Sequence, residues 1–396
     1  MRSIYKKALF TVLATFAILI YGLSQSGITF GGPKNDRGVR SCKTSENSLV
    51  TVGVTERENK GEDIYVVKTD LNGKLIWEEY FGGEKDDAGW DMVETDGGDN
   101  YLITGWSNSY SVAEDEDVIL LKISKNGKII WQKTLTKEGN ERCWSIKHLS
   151  DNSYLLIGQS QDRVSRKMIG MLTKIDRDGN AIWQKSYGDL QYNRLFYGAE
   201  IANNSLLIAG IARKDSTAEN LGWVLQMDSN GNTIKTTQLT KYKNSTTHGV
   251  LPIGTKKYLV YGYAQTDTAQ NQRAIYLSMY NKTGKKLWEN VSRGKNSVEH
   301  GIGATLSTSG SILVTGYSRP LNSNNWDGIL YGFSKNGKMK WKNTFGGKFT
   351  DQPYSILEIS PYRFLITGLT KIEDKPSDLW LVWVNEKKRK FSNTTF

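Results

Sequence analysis

Asn100-Tyr101-Leu102-Ile103-Thr104-Gly105 is a short β-branched and leucine-rich run that ends in glycine. It decides the fold because it returns. Runs of the same kind close at Gly53, Gly158, Gly210, Gly262, Gly316 and Gly368, so successive marker glycines lie 52 to 54 residues apart. A period of that size over nearly the whole chain marks a repeat architecture, and it overrides the two or three domains that 396 residues would otherwise suggest.

Around Gly105 the unit reads as four strands. Gly89-Trp90-Asp91-Met92-Val93-Glu94 is the inner one, and Gly97-Gly98 turns the chain into the run ending at Gly105. A variable segment from Trp106 to Glu116 leads to Asp117–Ile123 and then, past Asn126-Gly127, to Lys128–Leu135. Short β-branched and aromatic strands bounded by such turns form an antiparallel meander. The last turn recurs as Asn72-Gly73, Asp178-Gly179, Asn230-Gly231, Thr283-Gly284 and Asn336-Gly337, pairs that accept positive φ. Four residues past these glycines stand Trp77, Trp131, Trp183, Trp288 and Trp341, with Lys235 in the fourth unit. The rings could be sugar platforms, but at a fixed place in each unit they read as packing between sheets.

Seven four-stranded meanders must hide their apolar faces, and radial stacking does so. The fold class expected is an all-β, seven-bladed β-propeller of four-stranded antiparallel blades. The chain ends specify its closure. Tyr80-Phe81-Gly82-Gly83 and Thr344-Phe345-Gly346-Gly347 end complete units, so Ile28-Thr29-Phe30-Gly31-Gly32 reads as a fourth strand without a blade of its own. The last unit supplies three strands, from Tyr354, from Arg363 to Gly368 and from Asp378 to Val384. The N-terminal strand is therefore expected to complete that blade and close the ring.

Lys68-Thr69-Asp70-Leu71-Asn72-Gly73-Lys74-Leu75-Ile76-Trp77 and Tyr280-Asn281-Lys282-Thr283-Gly284-Lys285-Lys286-Leu287-Trp288 resemble the tryptophan-containing repeats of bacterial quinoprotein-like propellers and of uncharacterised exported bacterial propellers. The resemblance covers nearly the whole mature chain and implies the fold. It implies no single function, because that repeat serves both cofactor-dependent dehydrogenases and non-enzymatic envelope scaffolds. The quinone enzymes need a calcium-binding set of acidic and amide residues with stacking groups at one end of the axis. That set cannot be placed in this sequence, and no cofactor is expected.

Arg2, Lys6 and Lys7 precede an uncharged, mostly apolar run from Ala8 to Leu23 and then Ser24-Gln25-Ser26-Gly27. This is the pattern of a secretory signal peptide cut near Ser24. A retained membrane anchor is the alternative, although a span wants about 20 apolar residues. The organisation expected is a signal peptide over 1–24, the propeller over 25–391 and a tail over 392–396, in a monomer that is secreted, periplasmic or at the cell surface. No transmembrane segment remains after cleavage. Without the three basic residues of the leader the formal charge falls from +11 to +8, which favours weak attraction to acidic surfaces such as anionic polysaccharide. Nucleic acid is not an expected partner, since its recognition motifs are absent and Lys387-Lys388-Arg389-Lys390 reads as a solvated tail. Cys42 and Cys143 hold different places in units that are not neighbours, so no disulfide is expected between them.

A propeller offers ligands the end of its axis where the inner strands begin. Counting back about sixteen positions from the marker glycines brings together Arg37, Ala88, Arg142, Arg194, His248, His300 and Gln352. Asp36, Asp87, Glu141, Asn193, Thr247, Glu299 and Asp351 stand just before them, and Trp90, Trp144, Tyr197 and Tyr354 lie just inside. Arginine forks suit carboxylate or sulfate, and aromatic faces suit sugar rings. The function expected is a binding or scaffolding module for an anionic glycan or an envelope protein. The alternative for the cluster is that acids and arginines satisfy one another and stiffen the funnel.

A catalytic version also stands, a polysaccharide lyase acting by β-elimination on uronic acids. Arg142 or Arg194 would hold the carboxylate, His248 or His300 would be the base, and Tyr197 or Tyr354 the acid. The two histidines lack the close ligand spacing of a metal site, and no phosphate loop, nucleophile elbow or dinucleotide fingerprint is present. His148, at the far end of an inner strand, reads as a structural or surface residue. The segments Arg57–Asp63, Trp106–Glu116, Gln159–Arg166, Ala212–Leu221, Ala264–Arg273, Ser318–Asp327 and Thr370–Asp378 join second to third strands and should crowd one face, as a recognition rim or as tolerated loops.

Overall fold

The computed structural model describes residues 27–392 apart from 59, 112–114, 136–138, 202–204, 216–217, 268–271, 293–295, 374–375 and 388–389. The signal peptide expected over 1–24 and the last four residues of the tail lie outside the described residues.

The chain is an all-β, seven-bladed propeller. β1 (Ile28–Phe30) comes first, and blade 1 follows as β2 (Asp36–Lys43), β3 (Ser48–Glu56), β4 (Glu62–Asp70) and β5 (Leu75–Phe81). Blade 2 is β6 (Asp87–Thr95), β7 (Asn100–Ser107), β8 (Asp117–Ser124) and β9 (Ile129–Leu135). Blade 3 is β10 (Asn140–His148), β11 (Tyr154–Gln161), β12 (Met168–Ile175) and β13 (Ala181–Tyr187). Blade 4 is β14 (Tyr192–Ile201), β15 (Ser205–Arg213), β16 (Leu221–Met227) and β17 (Thr233–Gln238). Blade 5 is β18 (Thr246–Ile253), β19 (Lys257–Asp267), β20 (Gln272–Asn281) and β21 (Lys286–Ser292). Blade 6 is β22 (Ser297–Leu306), β23 (Ile312–Pro320), β24 (Asp327–Phe333) and β25 (Met339–Phe345). Blade 7 holds β26 (Asp351–Ser360), β27 (Arg363–Lys371) and β28 (Ser377–Asn385), with β29 (Lys390–Ser392) after it.

Blade 7 is closed from both ends of the chain. β1 pairs antiparallel with β28 through Ile28↔Leu381, Thr29↔Trp380 and Phe30↔Leu379. β29 takes the remaining half of the same edge, pairing Trp383↔Ser392, Val384↔Phe391 and Asn385↔Lys390. The fourth strand of the blade is thus made of two short pieces, and Lys390 belongs to it rather than to a solvated tail. Hydrogen bonding between distant ends supplies the continuity that a ring of blades otherwise lacks.

The marker glycines have a local cause. In each inner strand the register slips by one residue, leaving Val39, Trp90, Trp144, Phe196, His248, Ile302 and Tyr354 unpaired in a β-bulge. The bulge presses the inner strand's backbone onto the second strand. A Cβ on Gly53 would strike the Arg37 carbonyl, and the other six markers meet the equivalent carbonyl in their own blades.

Apolar clusters fill the seams between blades. Leu49, Tyr65 and Val67 of blade 1 pack with Leu365, Leu379 and Trp383 of blade 7, and Leu313 and Leu330 of blade 6 with Ile366 and Val382 of blade 7. Each fully buried side chain of this size contributes roughly 2 kcal/mol. The recurrent tryptophans are seam residues too. Trp77, Trp131, Trp183 and Trp288 lie against the turn glycine of the next blade, Gly127, Gly179, Gly231 and Gly337. The Trp77 indole N–H also donates to the Lys125 carbonyl at 3.1 Å. Between blades 4 and 5 Lys235 takes that place and donates to the Gly284 carbonyl at 2.9 Å, and between blades 7 and 1 Trp383 donates to the Leu71 carbonyl at 2.9 Å.

Cys42 and Cys143 are free thiols. No helix among the described residues is long and apolar enough to cross a membrane.

Candidate functional site

The inner-strand starts and the connections from second to third strand lie at one end of the axis, because Asp36↔Thr55 and its counterparts open each inner pairing beside those connections. Mouth and rim, two separate candidates in the sequence, are therefore one face.

The residues just before the register set are buried, and three of them have a local structural task. Asp36, Asp87 and Asp351 accept the backbone N–H of Gly32, Gly83 and Gly347 at 2.7, 2.8 and 2.7 Å, each clamping the glycine pair that carries the chain from one blade into the next. Burial pushes the Asp36 carboxyl up to about 6, against the lowering effect of its bonds to Thr55 and Gly32. These acids do not pair with the adjacent arginines. Arg37 reaches Glu62 at 3.1 Å, and Arg142 forms a two-pronged pair with Glu116. Both partners stand beside third strands.

Arg194 differs from these two. Its Nε faces the Met168 Sδ at 2.7 Å, and it has no carboxylate partner among the described residues. Burial, and then the positive charges of Arg142 and Arg213, lower its pKa from the usual guanidinium value. Arg213 lies 4.1 Å from the Tyr192 ring and has a buried Nε without a hydrogen-bond partner among the described residues. The charges of three arginines therefore oppose one another at the mouth, and among the described residues Arg142 is the one with a glutamate partner.

Two of the sequence assignments move. The register position of blade 5 is Thr246, which pairs with Tyr263 as Arg37 pairs with Val54. His248 is the bulge residue two places on, because blade 5 keeps the sixteen-residue spacing that had been adjusted in the count; Ser245 accordingly takes the acid position given to Thr247. Thr247 donates to the Gly210 carbonyl at 2.6 Å and ties blade 5 to blade 4. Tyr197 sits below the mouth, over Arg40 at 4.3 Å. Arg37, Arg142, Arg194, His300 and Gln352 hold equivalent ladder positions in their own blades, as does Ala88, which is wholly buried and offers no polar group.

Aromatic rings form two arcs around the mouth. Trp90 meets Trp144 edge-on at 4.7 Å, with Arg37 5.7 Å from the Trp90 ring. On the other side Phe196 stacks on His248 at 5.4 Å, Tyr263 on His300 at 4.3 Å, and Tyr317 meets Tyr354 at 6.4 Å. Tyr354 donates to the Gln352 side-chain oxygen at 2.9 Å. Arg273 lies 3.0 Å from the His300 Nε2, and Arg319 lies over Trp326 at 5.0 Å. Tyr263 and Tyr317 follow marker glycines directly, and that position was the signal by which the sequence could have yielded them.

Burial pushes His248 down to about 4, and burial followed by the Arg273 charge pushes His300 down to about 3. Both imidazoles are neutral at pH 7. Arg273 as donor makes the His300 Nε2 an acceptor, so neither histidine has the near-neutral pKa expected of an unperturbed base. His148 is exposed at the end of β10 and stacks on Tyr154 at 5.0 Å.

Below the mouth a buried ionic cluster crosses the axis. Asp91 of blade 2 accepts from Lys147 at 2.9 Å and Ser145 at 2.8 Å in blade 3, and Arg40 of blade 1 lies 3.5 Å away while resting on Tyr197 of blade 4. Burial alone would raise the Asp91 carboxyl, but Lys147 and Arg40 outweigh it and hold it below the ordinary value. Among the described residues no group of three histidine, cysteine or acidic side chains could hold a metal ion.

No protein-family model matches the chain, and no curated protein matches it. Solved structures do. A protein of unknown function from Dyadobacter fermentans aligns over 90% of this chain and 97% of its own, at 11% identity and a TM-score of 0.51. Sqt1 from Chaetomium thermophilum aligns over 91% and 84%, at 13% identity and a TM-score of 0.53. Puromycin hydrolase aligns over 94% of this chain at 11% identity and a TM-score of 0.59, and the match spans only 57% of that enzyme. At these identities the likeness is one of fold alone, an all-β propeller.

Proposed function

We propose that this protein is an exported, non-catalytic binding module that takes an anionic glycan at the arginine- and aromatic-lined mouth of its propeller. The observation that carries the reading is the clustering of Arg142, Arg194 and Arg213, of which Arg142 has a glutamate partner among the described residues, beside a belt of aromatic rings. Partly buried like charges without enough acid are poised for a carboxylate or sulfate, and ring faces supply the contact a sugar needs. The basic, apolar leader supports export. Kinship with the quinoprotein-like repeats belongs to the same reading, supported by the tryptophans that lock successive blades. A lyase would need a stronger base than His248 or His300 supplies, and Tyr197 is engaged with the axial cluster.

The test is calorimetric titration of the secreted protein with alginate, polygalacturonate and sulfated glycans. At least one should bind, more weakly as salt is raised, and Arg194→Ala with Arg213→Ala should reduce affinity by about thirtyfold. No binding by any of them would refute the reading. Ultraviolet absorbance from an unsaturated uronate would replace it with the lyase.

A further inference from the structure

A cleft of about 710 Å³ opens away from the axis, where blade 3 meets blade 4. Its cause is a departure in β17, whose sequence is Thr-Ile-Lys-Thr-Thr-Gln.

In blade 1, Tyr65 stacks on Tyr80 at 4.9 Å and its hydroxyl donates to Glu78, so the seam with blade 7 is filled. In blade 5, Tyr276 likewise donates to Glu289 at 3.3 Å. Trp223 is their counterpart in blade 4, since it pairs with Gly210 as Tyr65 pairs with Gly53 and Tyr276 with Gly262. The residue matching Glu78 and Glu289 is Thr236, and the one matching Tyr80 is Gln238. These short or flexible side chains leave the space empty. The Trp223 indole N–H is buried with no acceptor among the described residues.

We propose that this cleft is a second binding site, for a neutral saccharide. Trp223 and Tyr187 are its aromatic walls, and Thr233, Thr236, Gln238 and Thr240 present exposed hydroxyl and amide groups to it. Its volume is in the range that holds small ligands. Asp189 is its only charged lining residue, so an anion would lose hydration and meet repulsion there, whereas an uncharged polyol exchanges water hydrogen bonds for those of the wall. The cleft adjoins the mouth through Asn193 and Ala212, but none of the mouth's arginines or histidines lines it.

Titration of the secreted protein with maltohexaose, cellohexaose, xylohexaose and mannohexaose, followed by calorimetry and tryptophan fluorescence, tests it. At least one binds with a Kd below about 1 mM. Thr236→Ala with Gln238→Ala weakens that binding by at least about tenfold, and Thr236→Glu, which restores the glutamate of blades 1 and 5, abolishes it with an unchanged circular-dichroism spectrum. Arg194→Ala leaves it unaltered. Failure of all four probes at about 10 mM, or equal binding in the Thr236 and Gln238 variants, overturns the proposal and leaves the anionic-glycan reading untouched.

Discussion

The middle of the axis and its mouth are built from the same residue types, and they use them in opposite ways. In the middle, Asp91 lies between Arg40 and Lys147 and also accepts from Ser145, so charges from three blades share one carboxylate in a buried knot that rests on Tyr197 of a fourth. At the mouth, Arg142 has Glu116, while Arg194 and Arg213 have no acidic partner among the described residues. A satisfied buried cluster specifies geometry, whereas an unsatisfied one carries a standing cost that a ligand can relieve. The difference separates a structural tie from a candidate recognition site.

The largest effect expected is at the tie. Asp91→Ala leaves Arg40 and Lys147 without their counter-charge and should cost about 3–5 kcal/mol in chemical denaturation; a loss under about 1 kcal/mol would erase the contrast between the two regions. At the mouth, replacing Arg194 and Arg213 by alanine should leave stability unchanged or slightly higher, because like charges are removed, while glycan affinity falls by about 2 kcal/mol. A marked loss of stability there would make the arginines structural.

His300 sharpens the comparison by pH. Its folded pKa of about 3 lies below the unfolded value, so it contributes stability that is present above about pH 6.5 and lost as pH falls toward the folded value. The stability advantage of wild type over His300→Gln should shrink by about 3 kcal/mol between pH 7 and pH 4 in denaturation curves. The smallest effect concerns binding. With both histidines neutral, glycan affinity should change less than about threefold from pH 5.5 to pH 8, and a tenfold gain in acid would show an imidazolium in the site.

Much of this was legible in the chain because it is local. Asn-Gly and Asp-Gly pairs specify hairpins through their own φ preferences, and Gly73, at φ 89°, takes the conformation such a turn requires. The register of Arg37, Arg142, Arg194, His300 and Gln352 followed from the period. His248 is displaced because blade 5 keeps the sixteen-residue spacing, which points to Thr246, and only the ladder shows which residue each bulge leaves unpaired. Arg213, Arg273 and Arg319 read in the sequence only as parts of connecting segments for a related reason: they stand on second or third strands and enter the mouth across strand pairs.

The repeat, the hairpins, the number of blades and the strand that closes the ring are written in the linear order of residues, since each depends on contacts among near neighbours or on a pattern repeated seven times. Only the tertiary structure decided that β29 shares that closure, that Asp91 ties four blades, and that β17 leaves a cleft. Those outcomes depend on which side chains from distant strands meet and on how far each can reach, and no spacing along the chain encodes either.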